Sequence, residues 1–422
     1  MKFFRVAICS LLAFAVLAFG ATEEWSQAVL EVAASVLLIA WAIQMFIRKA
    51  DQLIIAPEFL PLLAFGVVAL VQFFFHLTAS RYFTRVELQL LATYLIVLFL
   101  MAQAFSQRHH WRAFLWFLMT FGFIVSLFAI LQNLTFNGKL YWFRVLHYPG
   151  YPFGPYANRN HFAGFAEIII PFALVPLVLG KVRRERIFLV AIFAIAPIVA
   201  LLLSASRGGI ISFAVEVLIL FVLLLVRRVQ STRVIFGAVI VLVGVLIVTW
   251  IGANQVLARF SGIQSIEVSA GKRTAMQRDT LRIFLDHPVI GTGLGTLQMV
   301  YPPYDSLYDG RIVNHAHNDY LEALAETGIL GGFCCLWFLS VLFLHALKGL
   351  FNLGTSFGAA LNFSGLIACC GLLVHSLVDF NLHIPANALL FLVSAHIAAV
   401  RLPSSVPTGM NHHSPGIQDG NH

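Results

Sequence analysis

Long apolar runs separated by short polar segments dominate the 422-residue chain. The runs lack the period-two alternation of membrane-barrel strands, and they exceed the length of about 10 residues typical of such strands. A helix crosses a bilayer with about 20 apolar residues, so the pattern predicts an all-α polytopic membrane protein with about 12 transmembrane helices. The runs lie at 3–20, 28–46, 59–77, 88–105, 111–131, 161–179, 187–205, 208–226, 234–251, 327–346, 357–378 and 386–400.

Two longer polar segments interrupt this array. The first is aromatic and rich in Gly and Pro, and the second contains a stretch with apolar residues at helical spacing, 273–287. This stretch predicts an amphipathic helix, which Pro288 and the following GTGLG run would end. The predicted regions are membrane helices at 1–131, 161–251 and 321–401, extramembrane loops at 132–160 and 252–320, and a disordered cytoplasmic tail at 402–422.

Composition excludes a soluble enzyme. Hydrophobic residues make up 60% and charged residues 11% of the chain, whereas soluble domains average about 25% charged residues. The net charge of +8 does not indicate nucleic-acid binding, because the basic residues form no arm and no stripe interleaved with aromatic residues. The five Cys residues all lie in apolar runs, which predicts neither disulfides nor a structural metal.

The distribution of Lys and Arg orients the array. If the N-terminus is cytoplasmic, 15 of the 27 basic residues fall on the cytoplasmic side, nearly all in short loops. Both long loops then lie on the external side, where long loops cross despite their charge. The first run can instead be a cleaved signal peptide, because Lys2 and Arg5 precede it, but the topology of the rest is the same.

Arg207 is the first candidate for chemistry, in the sequence SASRGG at a tight turn between two apolar runs. A guanidinium at the membrane edge is costly without a partner, and Gly208 and Gly209 allow a backbone or a ligand to approach closely. The alternative is an arginine that simply extends to the interface, as long basic side chains do.

The predicted loop helix carries Arg273, Arg278 and Arg282 at spacings of five and four residues. Arg278 and Arg282 share a helix face, and arginine binds phosphate oxygens in a bidentate manner. The alternative is an ordinary solvated face on which Asp279 and Asp286 pair with these arginines.

His315 and His317 lie just before an apolar run, with Asn318 and Asp319 as capping or orienting residues. Histidine acts as a general base near neutral pH, and a neighbouring carboxylate fixes its tautomer. Two histidines one residue apart can also be metal ligands, but the chain has no Asp-x-Asp pair and no HExxH sequence, so no dedicated metal site is predicted. A polar helix start without chemistry is the remaining alternative.

Together these groups suit the cleavage of a lipid-linked diphosphate. The arginines would neutralise the departing diphosphate, and a histidine would take a proton from the incoming sugar hydroxyl. Aromatic side chains at 141–162 would stack on sugar faces or act as interface anchors. Glu167, which lies inside an apolar run after the sequence NRNHF, is a candidate to support the site.

Several motifs in order resemble the O-antigen ligase/polymerase superfamily, which comprises O-antigen ligases, O-antigen polymerases and protein O-oligosaccharyltransferases. The sharpest is His followed by Asn, nine residues, then Gly-x-x-Gly, here His317, Asn318, Gly328 and Gly331. The resemblance covers roughly residues 150–400. The other matching stretches are SRGG at 206–209, the Arg273-to-Pro288 spacing followed by GTGLGTL, NRNHFAGF at 158–165 and VDFNLHIPAN at 378–387.

The resemblance implies a metal-independent inverting glycosyltransferase without a cofactor, with a fold like the membrane glycosyltransferase C class. Its donor would be an undecaprenyl-diphosphate-linked glycan at the periplasmic face of the bacterial inner membrane. Arg207 and Arg273 would contact the diphosphate, and His317 would be the catalytic base. One position departs from the family pattern, because Gln277 stands where many members have Trp. We add Arg159, Asn160, Arg278, His315 and Asn318 as substrate-binding candidates.

The acceptor stays open between lipid A-core, a growing polysaccharide and a protein hydroxyl, because all three share the donor chemistry. The competing class is a multi-pass transporter or a flippase for the lipid-linked glycan. A transporter would place its ionisable residues near the bilayer midplane and usually show repeats. The candidate groups here concentrate at one membrane face and the sequence shows no internal repeat, which favours the enzyme.

Overall fold

The structure is a computed structural model that describes residues 1–49, 53–145, 151–263, 270–352 and 356–401. Within these ranges, side chains are described except for residues 251–263, 270 and 349–352. The predicted disorder of the 402–422 tail lies outside the described residues.

The described chain is helical and forms no sheet. The helices are α1 Lys2–Leu17, α2 Glu24–Arg48, α3 Phe59–Phe74, α4 Arg81–Ala104, α5 Arg108–Leu134, α6 Arg159–Val178, α7 Ile187–Leu203, α8 Arg207–Val226, α9 Ser231–Ile263, α10 Ala270–Asp286, α11 Leu297–Val300, α12 Asp319–Asn352, α13 Phe357–His375 and α14 Pro385–Ala399.

The twelve predicted apolar runs all form helices. Among the described residues, nine helices are long and apolar enough to cross a membrane: α2, α4 to α9, α12 and α13. The other three, α1, α3 and α14, are shorter, at 16, 16 and 15 residues. The prediction of an all-α polytopic membrane protein is therefore confirmed.

The centre of the bundle is formed by α6, α13 and α14. Every residue of α6 and of α14 is buried, and so are most residues of α13. The outer helix α2 instead exposes an apolar stripe that includes Val32, Val36, Ile39 and Ile43. A helix that is apolar on all sides is typical of a buried or membrane position, so the exposed stripe suits contact with lipid tails.

Alternating helices place the connecting segments at two ends of the bundle. At one end, which we call the site end, the Ala79 amide donates to the Thr292 carbonyl and the Asp319 amide donates to the Ser376 carbonyl. At the other, which we call the basic end, Arg5 donates to the Ala104 carbonyl. The two predicted external loops both belong to the site end.

Two helices extend beyond the predicted apolar runs. Helix α9 continues to Ile263, past residue 252, where the external loop was predicted to start. Helix α12 begins at Asp319, close to the predicted start of the last membrane region at 321, although its apolar run starts at 327. Its first turns carry Glu322 and Glu326, which are polar but buried in protein. The predicted amphipathic helix is confirmed as α10, and it ends at Asp286 as expected from Pro288.

A break in α12 joins the loop after α10 to the helix. Gly328 has φ +61° and ψ −163°, a region of backbone conformation that is essentially restricted to glycine. The Ile329 amide donates to the Pro288 carbonyl at 2.8 Å instead of continuing the helix. A Cβ at Gly328 would lie 2.3 Å from the Val289 oxygen. The break therefore fixes the end of α10 against α12.

Candidate active site

Asp379 is the centre of a polar cluster at the site end. It lies between α13 and α14, and its side chain is 1% exposed. One carboxylate oxygen accepts from His317 Nδ1 at 3.3 Å and from the Phe380 amide at 2.9 Å. The other accepts from Asn160 Nδ2 at 2.7 Å. The carboxylate thus joins α6, the segment before α12 and the connection after α13.

The electrostatic environment keeps Asp379 ionised. Burial alone would raise its pKa, but the hydrogen bond from His317 and the charges of His317, His161 and His375 lower the pKa below the usual range of an aspartate. An ionised carboxylate can only accept hydrogen bonds. His317 Nδ1 therefore carries the proton, and Nε2 is the nitrogen left free to accept one.

His317 is held in an uncommon backbone conformation. Its φ of +51° is left-handed, which few residues other than glycine adopt and which clusters at functional sites. The His317 carbonyl accepts a hydrogen bond from Gln277 Nε2 at 3.2 Å. The ring of Phe380 lies edge-on to the imidazole at 5.0 Å. Gln277, at the position of the family departure, thus connects α10 to the candidate base.

Arg273 reaches the same cluster from α10. Its Nη1 donates to the Val378 carbonyl, the residue before Asp379, at 3.4 Å. Its Nε is buried and has no hydrogen-bond partner in the described part of the chain. Part of the guanidinium therefore keeps donor capacity for another molecule.

Arg207 approaches from the start of α8. Ser206 caps this helix by accepting from the Gly209 amide at 3.2 Å, and the Arg207 side chain is exposed. A Cβ at Gly208 would lie 3.1 Å from Val378 Cγ2 and 2.6 Å from His375 Nε2. The three predicted catalytic residues, which come from three separate parts of the chain, are therefore all anchored next to Val378 and Asp379.

A buried pair lies beneath the SRGG turn. His375 Nδ1 and Glu167 Oε1 are 2.9 Å apart, and neither side chain reaches solvent. A Cβ at Gly209 would lie 3.0 Å from Glu167 Oε1. The two glycines thus permit a contact that any side chain would obstruct, and the proposed supporting position of Glu167 is next to the turn that carries Arg207.

His315 belongs to a chain of alternating histidines and carboxylates. Its Nδ1 lies 2.8 Å from Glu322 Oε1, and its ring stacks on Phe380 at 4.4 Å. His383 Nε2 lies 3.3 Å from the same oxygen, and His383 Nδ1 lies 2.7 Å from Asp319. Burial would lower the pKa of His383, but Glu322 and Asp319 raise it well above the usual value. This chain links the segment of His317 to the start of α12.

The same groups have a composition suited to a metal ion. The ligand atoms of His315, Glu322 and His383 lie within 4.8 Å of one another, and two histidines with one carboxylate can bind a divalent metal. Glu322 and His383 were not predicted as ligands, because the metal motifs Asp-x-Asp and HExxH hold their ligands close together along the chain. The expectation of no metal site stays a prediction.

The other predicted binding residues differ in accessibility. Arg278 is exposed on α10. Asn318 caps α12, accepting from the Tyr320 and Leu321 amides. Arg159 is 2% exposed and donates to the Ser204 carbonyl, so in this structure it fixes the turn before Arg207.

One expectation about aromatic side chains needs correction. Phe153, Tyr156 and Phe162 were candidates for stacking on sugars, but they are buried in the hydrophobic core. They pack there because α6 begins at Arg159 and buries its whole circumference. The alternative given for the loop helix holds for one arginine, because Arg282 pairs with Asp279 at 3.4 Å.

The described part of the site end carries three arginines that are not paired with carboxylates. Within the described residues, Arg207, Arg273 and Arg278 form no ion pair. The N-termini of α6, α8 and α12 also lie at this end, and a helix N-terminus favours negative charge. The site therefore combines a histidine–carboxylate pair with cationic groups suited to a phosphorylated ligand.

These features define a polytopic membrane protein with a polar site assembled from helix ends at one end of its bundle. The family model described as O-antigen ligase matches residues 168–336. The predicted relation to the O-antigen ligase/polymerase superfamily is thereby confirmed, and with it a general role in glycan transfer. The match includes Arg207, Arg273 and His317 but ends before Asp379. No curated protein matches the chain.

Proposed function

We propose that this protein transfers a glycan from an undecaprenyl-diphosphate carrier to a hydroxyl acceptor at the periplasmic face of the bacterial inner membrane. It would act as an inverting enzyme without a metal, like an O-antigen ligase or polymerase. The observation that carries the proposal is the His317–Asp379 contact of 3.3 Å beside the Val378 carbonyl that Arg273 contacts.

His317 is the general base of the proposed reaction. Its Nδ1 proton is held by Asp379, so Nε2 accepts the proton of the acceptor hydroxyl. The hydroxyl oxygen forms a bond to the anomeric carbon while the bond from that carbon to the diphosphate oxygen breaks. A single displacement inverts the configuration, and the carrier diphosphate leaves with the bonding electron pair.

Arg207 and Arg273 stabilise the departing diphosphate. Negative charge develops on the leaving oxygen as its bond breaks, and positioned cations stabilise a transition state in which charge develops. Arg207 is exposed, and Arg273 retains donor capacity at Nε. Arg278, exposed on the same helix as Arg273, extends the cationic surface along the glycan or the carrier.

The replacement His317→Ala tests the base. We expect transfer by the purified full-length protein to fall by about 10²- to 10⁴-fold, the usual contribution of a general base. Carrier diphosphate release from a polyprenyl-diphosphate-linked oligosaccharide, with a hydroxyl acceptor present, measures the rate. His287→Ala is the matched control, because His287 is an exposed histidine at the same end. Near-normal release by a folded His317→Ala protein would refute the assignment, and movement of intact donor without bond cleavage would favour a flippase.

Metal removal tests the proposal that the reaction needs no metal ion. We expect extensive chelation to leave the rate of diphosphate release unchanged, because His315, Glu322 and His383 are already hydrogen-bonded to protein groups. The measurement compares chelated protein with protein given Mg²⁺, Mn²⁺ or Zn²⁺. Loss of activity that one of these ions restores would show that the cluster holds a required metal.

The acceptor is distinguished by deletion of the gene and analysis of the envelope glycans. Single repeats without polymer would indicate a polymerase, polymer retained on the carrier lipid would indicate a ligase, and loss of glycan from proteins would indicate an O-oligosaccharyltransferase. All three outcomes are compatible with the same roles for Arg207, Arg273 and His317.

A further inference from the structure

A cavity of about 670 Å³ opens at the basic end, opposite the candidate active site. It lies between α5, the turn from α6 to α7, and the start of α13. Its basic lining residues are Arg108, Arg112, Lys181, Arg183 and Arg186.

Among the described residues, the charges around this cavity have no acidic partners. None of the described residues that line it is acidic, and its five basic side chains form no ion pair within the described chain. Glu185 lies in the same turn but is exposed and does not line the cavity. Loops enriched in Lys and Arg are usual on one side of a membrane protein, but that tendency does not require five cations to face one concave space.

Aromatic rings hold several of the cations in place. Arg108 and Arg112 lie over the ring of Phe357 at 5.6 and 5.2 Å, and Arg186 lies over Trp116 at 5.1 Å. A cation–π contact orders a guanidinium without neutralising its charge. Arg108 Nε is also buried without a hydrogen-bond partner among the described residues.

Lys181 lies among other cations at the same cavity and is repelled by them. Burial and the nearby charges of Arg233 and Arg108 lower its pKa. Arg233 of α9 faces Lys181 and is also a cation. Its guanidinium donates to the Leu179 carbonyl. An anion in the cavity would relieve this repulsion.

The cavity is amphipathic along α5. Arg108, Arg112, Leu115 and Met119 follow one another at spacings of four, three and four residues, which places them along one face of the helix. All four line the cavity. The cations lie at the end of the helix and the apolar side chains lie deeper, in the order of a phospholipid headgroup and its acyl chain.

We propose that this cavity is a binding site for an anionic phospholipid, with the phosphate among the five cations and an acyl chain against Leu115 and Met119. Basic pockets between membrane helices recognise such headgroups. The apolar part of the lining favours a lipid over free phosphate. The site is separate from the proposed glycan transfer and does not depend on it.

The test is lipid binding by the purified full-length protein in a neutral detergent. Native mass spectrometry measures binding of dioleoylphosphatidylglycerol, with dioleoylphosphatidylcholine as the uncharged comparison. We expect the anionic lipid to bind in preference, and the double variant Arg112→Gln/Arg186→Gln to bind it about 25-fold more weakly, at about fivefold for each charge. The variant Arg112→Lys/Arg186→Lys should retain most of the affinity.

The matched control is Arg48→Gln/Arg184→Gln, which removes two exposed charges at the same end but outside the cavity. Unchanged binding by this control supports a specific site. Equal weakening by both glutamine variants would show general surface attraction and overturn the proposal. Displacement of the lipid by millimolar inorganic phosphate would identify a free anion as the ligand and would also overturn it. Thermal unfolding of each variant in the same detergent checks the fold.

Discussion

The site end of this bundle pairs histidines with carboxylates, and the cavity at the basic end holds arginines against aromatic rings. Around Asp379, two histidines of the candidate site have carboxylate partners, in the pairs His317–Asp379 and His315–Glu322. In the cavity at the basic end, Arg112 and Arg186 lie over aromatic rings and have no carboxylate partner among the described residues. Pairing fixes the tautomer and direction of a group, which proton transfer requires. Unpaired cations provide only charge, which is sufficient to hold an anion.

We expect the largest loss of glycan transfer from a substitution at Asp379. In Asp379→Asn the neutral amide no longer enforces a proton on His317 Nδ1, so we expect transfer to fall by about 10²-fold or more. Because the pKa of Asp379 is held below its usual range, the carboxylate stays ionised in mild acid, and the wild-type rate should exceed the variant rate throughout about pH 5 to about pH 8. Initial rates of diphosphate release across this range provide the measurement.

The control for that prediction is Asp286→Asn. Asp286 is an exposed carboxylate at the same end, bonded to the Tyr304 hydroxyl at 2.7 Å, and its replacement should leave the rate unchanged. If a folded Asp379→Asn protein retained wild-type rates, the histidine–carboxylate pairing at the site end would be structural only, and the contrast between the two ends would lose its functional meaning.

The same contrast explains what the sequence could predict. Apolar runs such as 161–179 and 208–226 correspond to helices. They could be predicted because a helix that is buried or contacts lipid requires continuous hydrophobicity, which is a local property of the sequence. The apolar run at 327–346 leaves out the first turns of α12, because Glu322 and Glu326 are polar in sequence but buried in protein. A local sequence pattern does not indicate which polar residues face the protein interior.

Candidate site residues were predictable where a local motif held them. His317, Arg207 and Arg273 each lie in such a motif, whereas Asp379 and His383 act through contacts 62 and 64 residues away along the chain. The stretch VDFNLHIPAN contains Asp379 and His383, but its sequence does not indicate which residues they contact. Long-range pairing of this kind needs coordinates or covarying positions.

A smaller effect is predicted for Arg207→Lys. Lysine keeps the charge but not the planar pair of donors that matches a diphosphate, so we expect kcat/KM to fall by about 10²-fold, comparable to loss of one preorganised donor. The matched control is Arg85→Lys, because Arg85 is an exposed arginine at the same end whose guanidinium lies over Tyr82. Equal activity of the two lysine variants would mean that Arg207 contributes charge alone, as the arginines of the basic end do.

The smallest and sharpest effect compares two arginines one turn apart on α10. Arg282 pairs with Asp279, whose carboxylate also accepts from Tyr301 and Ser306, whereas Arg278 is exposed and forms no ion pair within the described residues. If unpaired cations at the site end serve the ligand, Arg278→Gln should raise KM for the donor by about fivefold, the value of one charge near a phosphate. Arg282→Gln should change KM by less than about twofold, because Asp279 already offsets the charge of Arg282. Equal increases of KM in the two variants would show that the arginines of α10 act only as a diffuse positive charge, because the ion pair of Arg282 would then make no difference to donor binding.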